Sequence, residues 1–192
     1  VPAQPRTRLL FVGKFGTAVV LFILVGCALL LRSFFLLDQV FRPGYVCFQE
    51  NDPWYHVRAI EHLVEHFPHI LTWDPYALHP DGQYVAIAPL FDLGVSFVAL
   101  VLGAGRPSLG LTHALAAWFP PELGSLISIP TYFLGRRLWN RRVGLLAAGT
   151  IAVLLGPFFQ RSSLGYTDHH VFESLLSLLT MYFLIGLLRA TE

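Results

Sequence analysis

Two short clusters hold the side chains best suited to chemistry. The first is Glu50-Asn51-Asp52, immediately ahead of a stretch of helical apolar spacing. The second is Tyr166-Thr167-Asp168-His169-His170, with Glu173 one turn further on. In the second cluster Asp168 offers a carboxylate oxygen and His170 an imidazole nitrogen two residues apart at a chain reversal, where both can turn to one cation. Capping is the simpler account of each acid alone, because a short carboxylate or the Thr167 hydroxyl accepts the free amide hydrogens of a first helical turn. Both acids fall where an irregular segment meets a helix start, where amide dipoles favour anions. Two acids facing each other there would repel unless a proton or a divalent ion lay between them, so a shared metal site is the natural resolution.

The elements that must position these residues are set by an apolar composition. Of 192 residues 55% are hydrophobic and only 13% charged, with a net charge of +1. A soluble domain of this size needs a more polar surface, and a near-neutral chain offers no footprint for nucleic acid. The two cysteines, Cys27 in an apolar run and Cys47 in a polar loop, form neither a disulfide framework nor a metal signature. The expected fold is all-α, a polytopic transmembrane helix bundle. Spans are expected at about 15–37, 116–134, 143–160 and 171–188, with an outer loop at 38–115 and a cytoplasmic loop at 135–142. Arg32, near the end of the first span, is expected to snorkel outward. A signal peptide is the competing reading of the first span, but the run is long for one and no small-residue cleavage site follows.

Orientation rests on basic residues. Arg136, Arg137, Arg141 and Arg142 crowd one short loop, and Arg6, Arg8 and Lys14 precede the first span, so both regions are placed in the cytoplasm. An odd number of crossings must then separate residues 38–84 from the arginine loop. The apolar segment 85–103, interrupted by Pro89 and Asp92, is therefore read as re-entrant or interface-lying, with a fifth span as its alternative. On this topology every acid but Glu192, and all eight histidines, lie on or near the outer face.

Within the outer loop, residues 53–67 place Trp54, Val57, Ile60, Leu63, Val64 and Phe67 on one stripe, with Pro53 in the first turn, which is the pattern of an amphipathic helix. Trp73-Asp74-Pro75-Tyr76 and His79-Pro80-Asp81-Gly82 read as turns, and the aromatic residues as interfacial anchors.

Five stretches carry a resemblance: NDPWYHVRAIEHLVEHFPH (51–69), WDPYALHPDG (73–82), APLFD (88–92), GSLISIPTYFLGRRLW (124–139) and SSLGYTDHHVFE (162–173). Together they resemble the catalytic subunit of oligosaccharyltransferase, above all its archaeal single-subunit form. The resemblance implies a long first extracytoplasmic loop containing membrane-parallel helices. It also implies a split acidic site in which Asp52, Asp168 and His170 bind a catalytic Mn²⁺ or Mg²⁺, with Asp52 also approaching the acceptor amide. His169 is implied to contact the phosphate of a lipid donor, and His79 and Arg161 are phosphate-side candidates from their outer position and charge. The implied reaction moves a glycan from a polyisoprenyl (dolichyl) phosphate or pyrophosphate to Asn in Asn-x-Ser/Thr, so the implied partners are that lipid-linked oligosaccharide, an acceptor polypeptide and membrane lipid.

Full members of that family carry further spans, another catalytic glutamate and a carboxy-terminal domain. The chain is accordingly expected to be an amino-terminal piece, inactive alone. A protein O-mannosyltransferase and a transporter fragment are the competing classes. The first would accept Ser/Thr, and the second would place charges at mid-depth of its spans.

Overall fold

The computed structural model describes residues 6–190, with side chains from Phe15 onward. The side chains of the orienting residues Arg6, Arg8 and Lys14, and the whole of Glu192, lie outside what is described. In chain order the elements are α1 (Arg6–Ser33), a single 3₁₀ turn (Phe34–Leu36), α2 (Leu37–Val40), β1 (Phe41–Arg42), β2 (Tyr45–Val46) and α3 (Asp52–His66). They continue with β3 (Trp73–Asp74), β4 (Gln83–Tyr84), α4 (Leu90–Leu102), α5 (Leu109–Leu126), α6 (Ser128–Leu138), α7 (Arg141–Val153), α8 (Pro157–Arg161) and α9 (His170–Ala190). The strands form two antiparallel two-stranded ribbons, and the remaining elements are helical, joined by turns and irregular segments.

Among the described residues two segments are long and apolar enough to cross a membrane, Phe15–Val40 and His170–Ala190. The other apolar segments are broken in ways the sequence explains. Residues 116–134 straddle the junction of α5 and α6 at Ile127. Residues 143–160 are not one helix: α7 ends at Val153, and α8 begins at Pro157. A residue before proline is driven out of helical geometry, so the Gly156-Pro157 pair sets the break. Segment 85–103 contains the 13-residue α4, which at 1.5 Å per residue is about 20 Å long, against about 30 Å of hydrocarbon.

The amphipathic helix of the outer loop forms as α3, and its stripe is shifted from the expected one. Pro53, His56, Val57, Ala59, Ile60 and Leu63 are buried, whereas Trp54 and Phe67 are exposed. Val57 and Ile60 pack with Phe91 and Val95 of α4, Ala116 and Ala117 of α5, and Leu164 into one core. The β3–β4 ribbon is tied to α3 by Arg58. Its Nη2 lies 2.9 Å from Asp74 Oδ1, its guanidinium stacks 4.1 Å from the Tyr76 ring, and Tyr76 N–H donates to the same Asp74 oxygen.

Arg32 does not snorkel. It is wholly buried, and its guanidinium donates to Ala152 O (2.7 Å), Ile151 O (3.2 Å) and Ser162 Oγ (2.9 Å). The rings of Phe158 and Phe159 lie 5.7 Å and 4.8 Å from it. The last carbonyls of a helix have no partner within it, and two of those of α7, at Ile151 and Ala152, are taken up by this cation. Arg32 faces inward because these acceptors compensate it there.

Segment 162–168 threads through the core between the end of α1, the middle of α5 and residues 47–49. Its backbone is fixed by Leu164 N–H to Arg32 O, Gly165 N–H to Ala117 O and Gln49 N–H to Gly165 O. Gly165 has φ +80°, and an added Cβ would lie 2.8 Å from Cγ2 of the buried Val40. Gly165→Ala is therefore expected to destabilise the protein by about 1–3 kcal/mol, read as a lower melting temperature in detergent. An unchanged melting temperature would refute this close approach.

Candidate functional site

The amino-terminal end of α3 and the amino-terminal approach to α9 meet at one open cleft of about 400 Å³. Asp52, Tyr55 and His56 of α3 line one side, Asp168, His169 and His170 another, and Gln83, Ala86 and Ile87 of the ribbon and its exit close it. Residues far apart in sequence thus supply a concave site rich in carboxylate and imidazole.

Asp52 is the first residue of α3 and is exposed. It does not cap the helix: Asn51 holds the cap position, and no side chain makes a capping hydrogen bond. Among the described residues the Asp52 carboxylate has no hydrogen-bonding or ionic partner. It stands in the cleft with both oxygens available.

Asp168 is the opposite case. It is 1% exposed, with Arg161 Nη1 2.8 Å from Oδ2 and His169 Nδ1 2.9 Å from Oδ1. His170 Nε2 lies 3.7 Å from Oδ2, and His56 Nε2 3.5 Å from Oδ1. Burial alone would raise its pKa, but the His56 hydrogen bond and the surrounding imidazoles outweigh burial and hold it well below the usual carboxylate range. Thr167, the other candidate cap, is buried and bonds Ala116 O instead.

Behind these groups lies a pair that sequence reasoning missed as site residues, His56 and Asp92. His56 is 1% exposed, with Nδ1 2.7 Å from Asp92 Oδ1 and Nε2 3.0 Å from His169 Nδ1. Burial pushes the imidazole down, yet hydrogen bonds to Asp168 and Asp92 raise it to about 9. The signal was present in the sequence. His56 sits at helical spacing with Pro53, Ile60 and Leu63, and a buried polar group on such a stripe must find partners. Asp92, buried in the apolar α4, is that partner.

The remaining candidates divide. Arg161 reaches the site by clamping Asp168. His79 is exposed and does not line the cleft. Glu173 lies at the rim, with Oε2 3.2 Å from His170 Nδ1 and Oε1 3.6 Å from His169 Nε2. Among the described residues two groups each bring their donor atoms within 4.8 Å of one another, His56 with Asp168 and His169, and His169 with His170 and Glu173. Asp52 shares the cleft without joining either group.

The sequence matches the family model described as oligosaccharyl transferase STT3, N-terminal, over residues 17–192. The dolichyl-monophosphooligosaccharide–protein glycotransferase AglB of Haloferax volcanii is 38% identical over 152 residues, covering 79% of this chain and 14% of that protein. Among solved structures, the archaeal oligosaccharyltransferase AglB of Archaeoglobus fulgidus, in complex with an inhibitory peptide and a dolichol-phosphate, superimposes with a TM-score of 0.82 at 31% identity. That match covers 90% of this chain and 20% of AglB. The Archaeoglobus fulgidus oligosaccharyltransferase also matches in complex with Zn and sulfate, with a TM-score of 0.80 at 31% identity over 86% of this chain and 21% of that one. Tethered to an acceptor peptide containing the NVT sequon, it matches with a TM-score of 0.79 at 33% identity over 86% and 19%. The chain spans about a seventh to a fifth of the length of these relatives. With the family match running through both clusters and nearly the whole chain, this protein belongs to the oligosaccharyl transferase STT3 family, to whose amino-terminal region it corresponds.

Proposed function

We propose that this chain builds the metal-binding and donor-facing part of a site that transfers a glycan from a polyisoprenyl (dolichyl) phosphate or pyrophosphate to the Asn amide nitrogen of Asn-x-Ser/Thr. The observation that carries the reading is the convergence of Asp52 with Asp168, His169 and His170 on one cleft. A relative of similar fold is described with a dolichol-phosphate and, separately, with an NVT-sequon peptide, which supports both substrate classes. The cleft is assigned to the extracytoplasmic face of a multi-pass protein of the cell membrane. In this reading α1, α5–α6, α7–α8 and α9 cross, and α3 and α4 lie along the outer surface.

Asp52, Asp168 and His170 are assigned to a divalent cation, Mn²⁺ or Mg²⁺. Their chemistry fits: Asp52 is an unpartnered carboxylate, and the Asp168 and His170 donor atoms, 3.7 Å apart, lie within the roughly 4 Å that two ligands about 2.1 Å from one ion can span. Mixed oxygen and imidazole donors suit Mn²⁺ better than Mg²⁺, and a relative described in complex with Zn and sulfate supports the assignment of a cation. When bound, the cation would offset negative charge developing on the departing phosphate.

The chain's own residues do the rest. Asp52 accepts hydrogen bonds from the acceptor amide, which turns its nitrogen lone pair out of conjugation with the carbonyl and toward attack. His169, half turned to the cleft, faces the donor phosphate. Arg161 fixes Asp168 and adds positive charge beside it. No role is assigned to His79.

The test is transfer by the whole protein from a dolichyl-phosphate-linked glycan to a fluorescent Asn-x-Thr peptide, beside the same peptide with Gln in place of Asn and a Ser/Thr peptide lacking Asn. Modification confined to the Asn peptide supports the reading. Modification of the Ser/Thr peptide would replace it with O-glycosyl transfer.

His56 and Asp92 support the metal-side groups from behind. Such outer partners of ligands typically matter by about 10–100-fold. His56→Ala and Asp92→Asn are each expected to lower the transfer rate by about that factor with the protein still folded. Wild-type rates in both variants would limit the pair to filling the core.

A further inference from the structure

The middle of α5 contains Pro120 and Pro121 in succession. A proline inside a helix has no N–H for the carbonyl four residues earlier, so these two release Ala116 O and Ala117 O from the helical ladder. Both alanines are wholly buried, where an unpaired carbonyl is costly. Neither carbonyl is left empty. Thr167 Oγ1 donates to Ala116 O at 2.8 Å, and Gly165 N–H donates to Ala117 O at 3.1 Å. The two donors lie on either side of Tyr166, and Thr167 is the residue immediately before Asp168. Two adjacent vacancies in one helix are thus matched by two donors from the segment that delivers Asp168.

We infer that Pro120 and Pro121 are positioning residues for Asp168, holding it in the cleft by freeing the two carbonyls that anchor residues 165–167. The coupling itself stands on the hydrogen bonds. Its consequence for metal binding rests on the function proposed above.

The sequence already contains the elements of the device, since a Pro-Pro pair within a helical stretch marks two carbonyls at known positions. Only the fold shows what fills them. Other candidate anchors of the segment act elsewhere: Arg32 O holds Leu164, and the Gly165 carbonyl holds Gln49. Among the described residues, Thr167 and Gly165 alone bridge from the last residues before Asp168 to the proline-freed turn.

The experiment is a double-mutant cycle with Pro120→Ala and Thr167→Val in the whole protein, read by melting temperature in detergent and by Mn²⁺ affinity from calorimetry. Pro120→Ala restores an N–H aimed at Ala116 O, which then competes with the threonine hydroxyl for that acceptor and weakens its anchor. Thr167→Val alone is expected to lower the melting temperature by several degrees and to weaken Mn²⁺ by about 10-fold. In the Pro120→Ala background the same change is expected to have little further effect on either readout. Thr167→Ser keeps the hydroxyl and is expected to retain Mn²⁺ affinity in the Pro120 protein. Raising Mn²⁺ to saturation is expected to restore transfer in Pro120→Ala, which a folding defect would not allow.

Additive losses in melting temperature would overturn the coupling. Unchanged Mn²⁺ affinity in Pro120→Ala, with the wild type binding, would overturn the positioning role. Failure of the wild type to bind Mn²⁺ would contradict the proposed metal site, and the melting-temperature cycle would then still decide the coupling.

Discussion

Replacing Asp168 with Asn is expected to lower glycan transfer by about 10²–10³-fold or more, the range found when one group that stabilises developing charge is removed. Asn is the informative replacement because it keeps the shape of a side chain that is 1% exposed. Alanine would open a cavity and leave Arg161 and His56 without their common acceptor, and breaking a buried charged cluster in that way costs about 3–5 kcal/mol on its own. With Asn, the side chain lacks the negative charge that the Arg161 guanidinium and three imidazoles surround. The measurement is the initial rate of transfer to an Asn-x-Thr peptide at saturating donor, beside the melting temperature of the same preparation. A folded Asp168→Asn protein with the wild-type rate would remove Asp168 from the reaction.

Loss of Arg32 is expected to have the largest effect on stability. Arg32→Met removes the donor to Ile151 O and Ala152 O at the end of α7 and to Ser162 Oγ. Each buried acceptor left unpaired costs about 1–3 kcal/mol, and water is not at hand to replace the guanidinium where the surroundings are apolar. A loss of about 3 kcal/mol or more is expected, seen as a much lower melting temperature in detergent. Arg32→Lys keeps the charge but not the planar fork that serves several acceptors at once, so it is expected to recover only part of the loss. Equal stability of Arg32→Met and wild type would contradict the cap. Because Arg32 O also holds Leu164 N–H, this residue connects the first apolar helix to the segment that ends at Asp168.

The two clusters were legible because carboxylate and imidazole are rare in so apolar a chain and stand at the ends of helical patterns. Their meeting in one cleft follows from α3 and α9 both beginning there. The apolar runs that lie in the membrane-length segments Phe15–Val40 and His170–Ala190 were legible from hydropathy. Other parts were hidden because their partners are distant in sequence. Arg32 at the end of an apolar run looks like a snorkelling cation until the carbonyls of Ile151 and Ala152 are placed around it. Asp92 looks like a defect in an apolar segment until His56 is set 2.7 Å away. Asp52 looks like a cap because its type and position suit one, but the backbone puts Asn51 at that point. The stripe expected from apolar spacing included Trp54 and Phe67, whereas the contacts with α4 and α5 selected the face carrying His56. Hydropathy also joined α7 and α8 into one segment, although Gly156-Pro157 separates them.

The central claim is that Asp52 and Asp168, brought to one cleft from different parts of the chain, bind one cation together. The most direct measurement is calorimetric titration of Mn²⁺ into the detergent-purified protein, wild type beside Asp52→Asn and Asp168→Asn. The account predicts one saturable site in the wild type, weakened by at least about 10-fold in each variant. Wild-type Mn²⁺ affinity in both variants would contradict it.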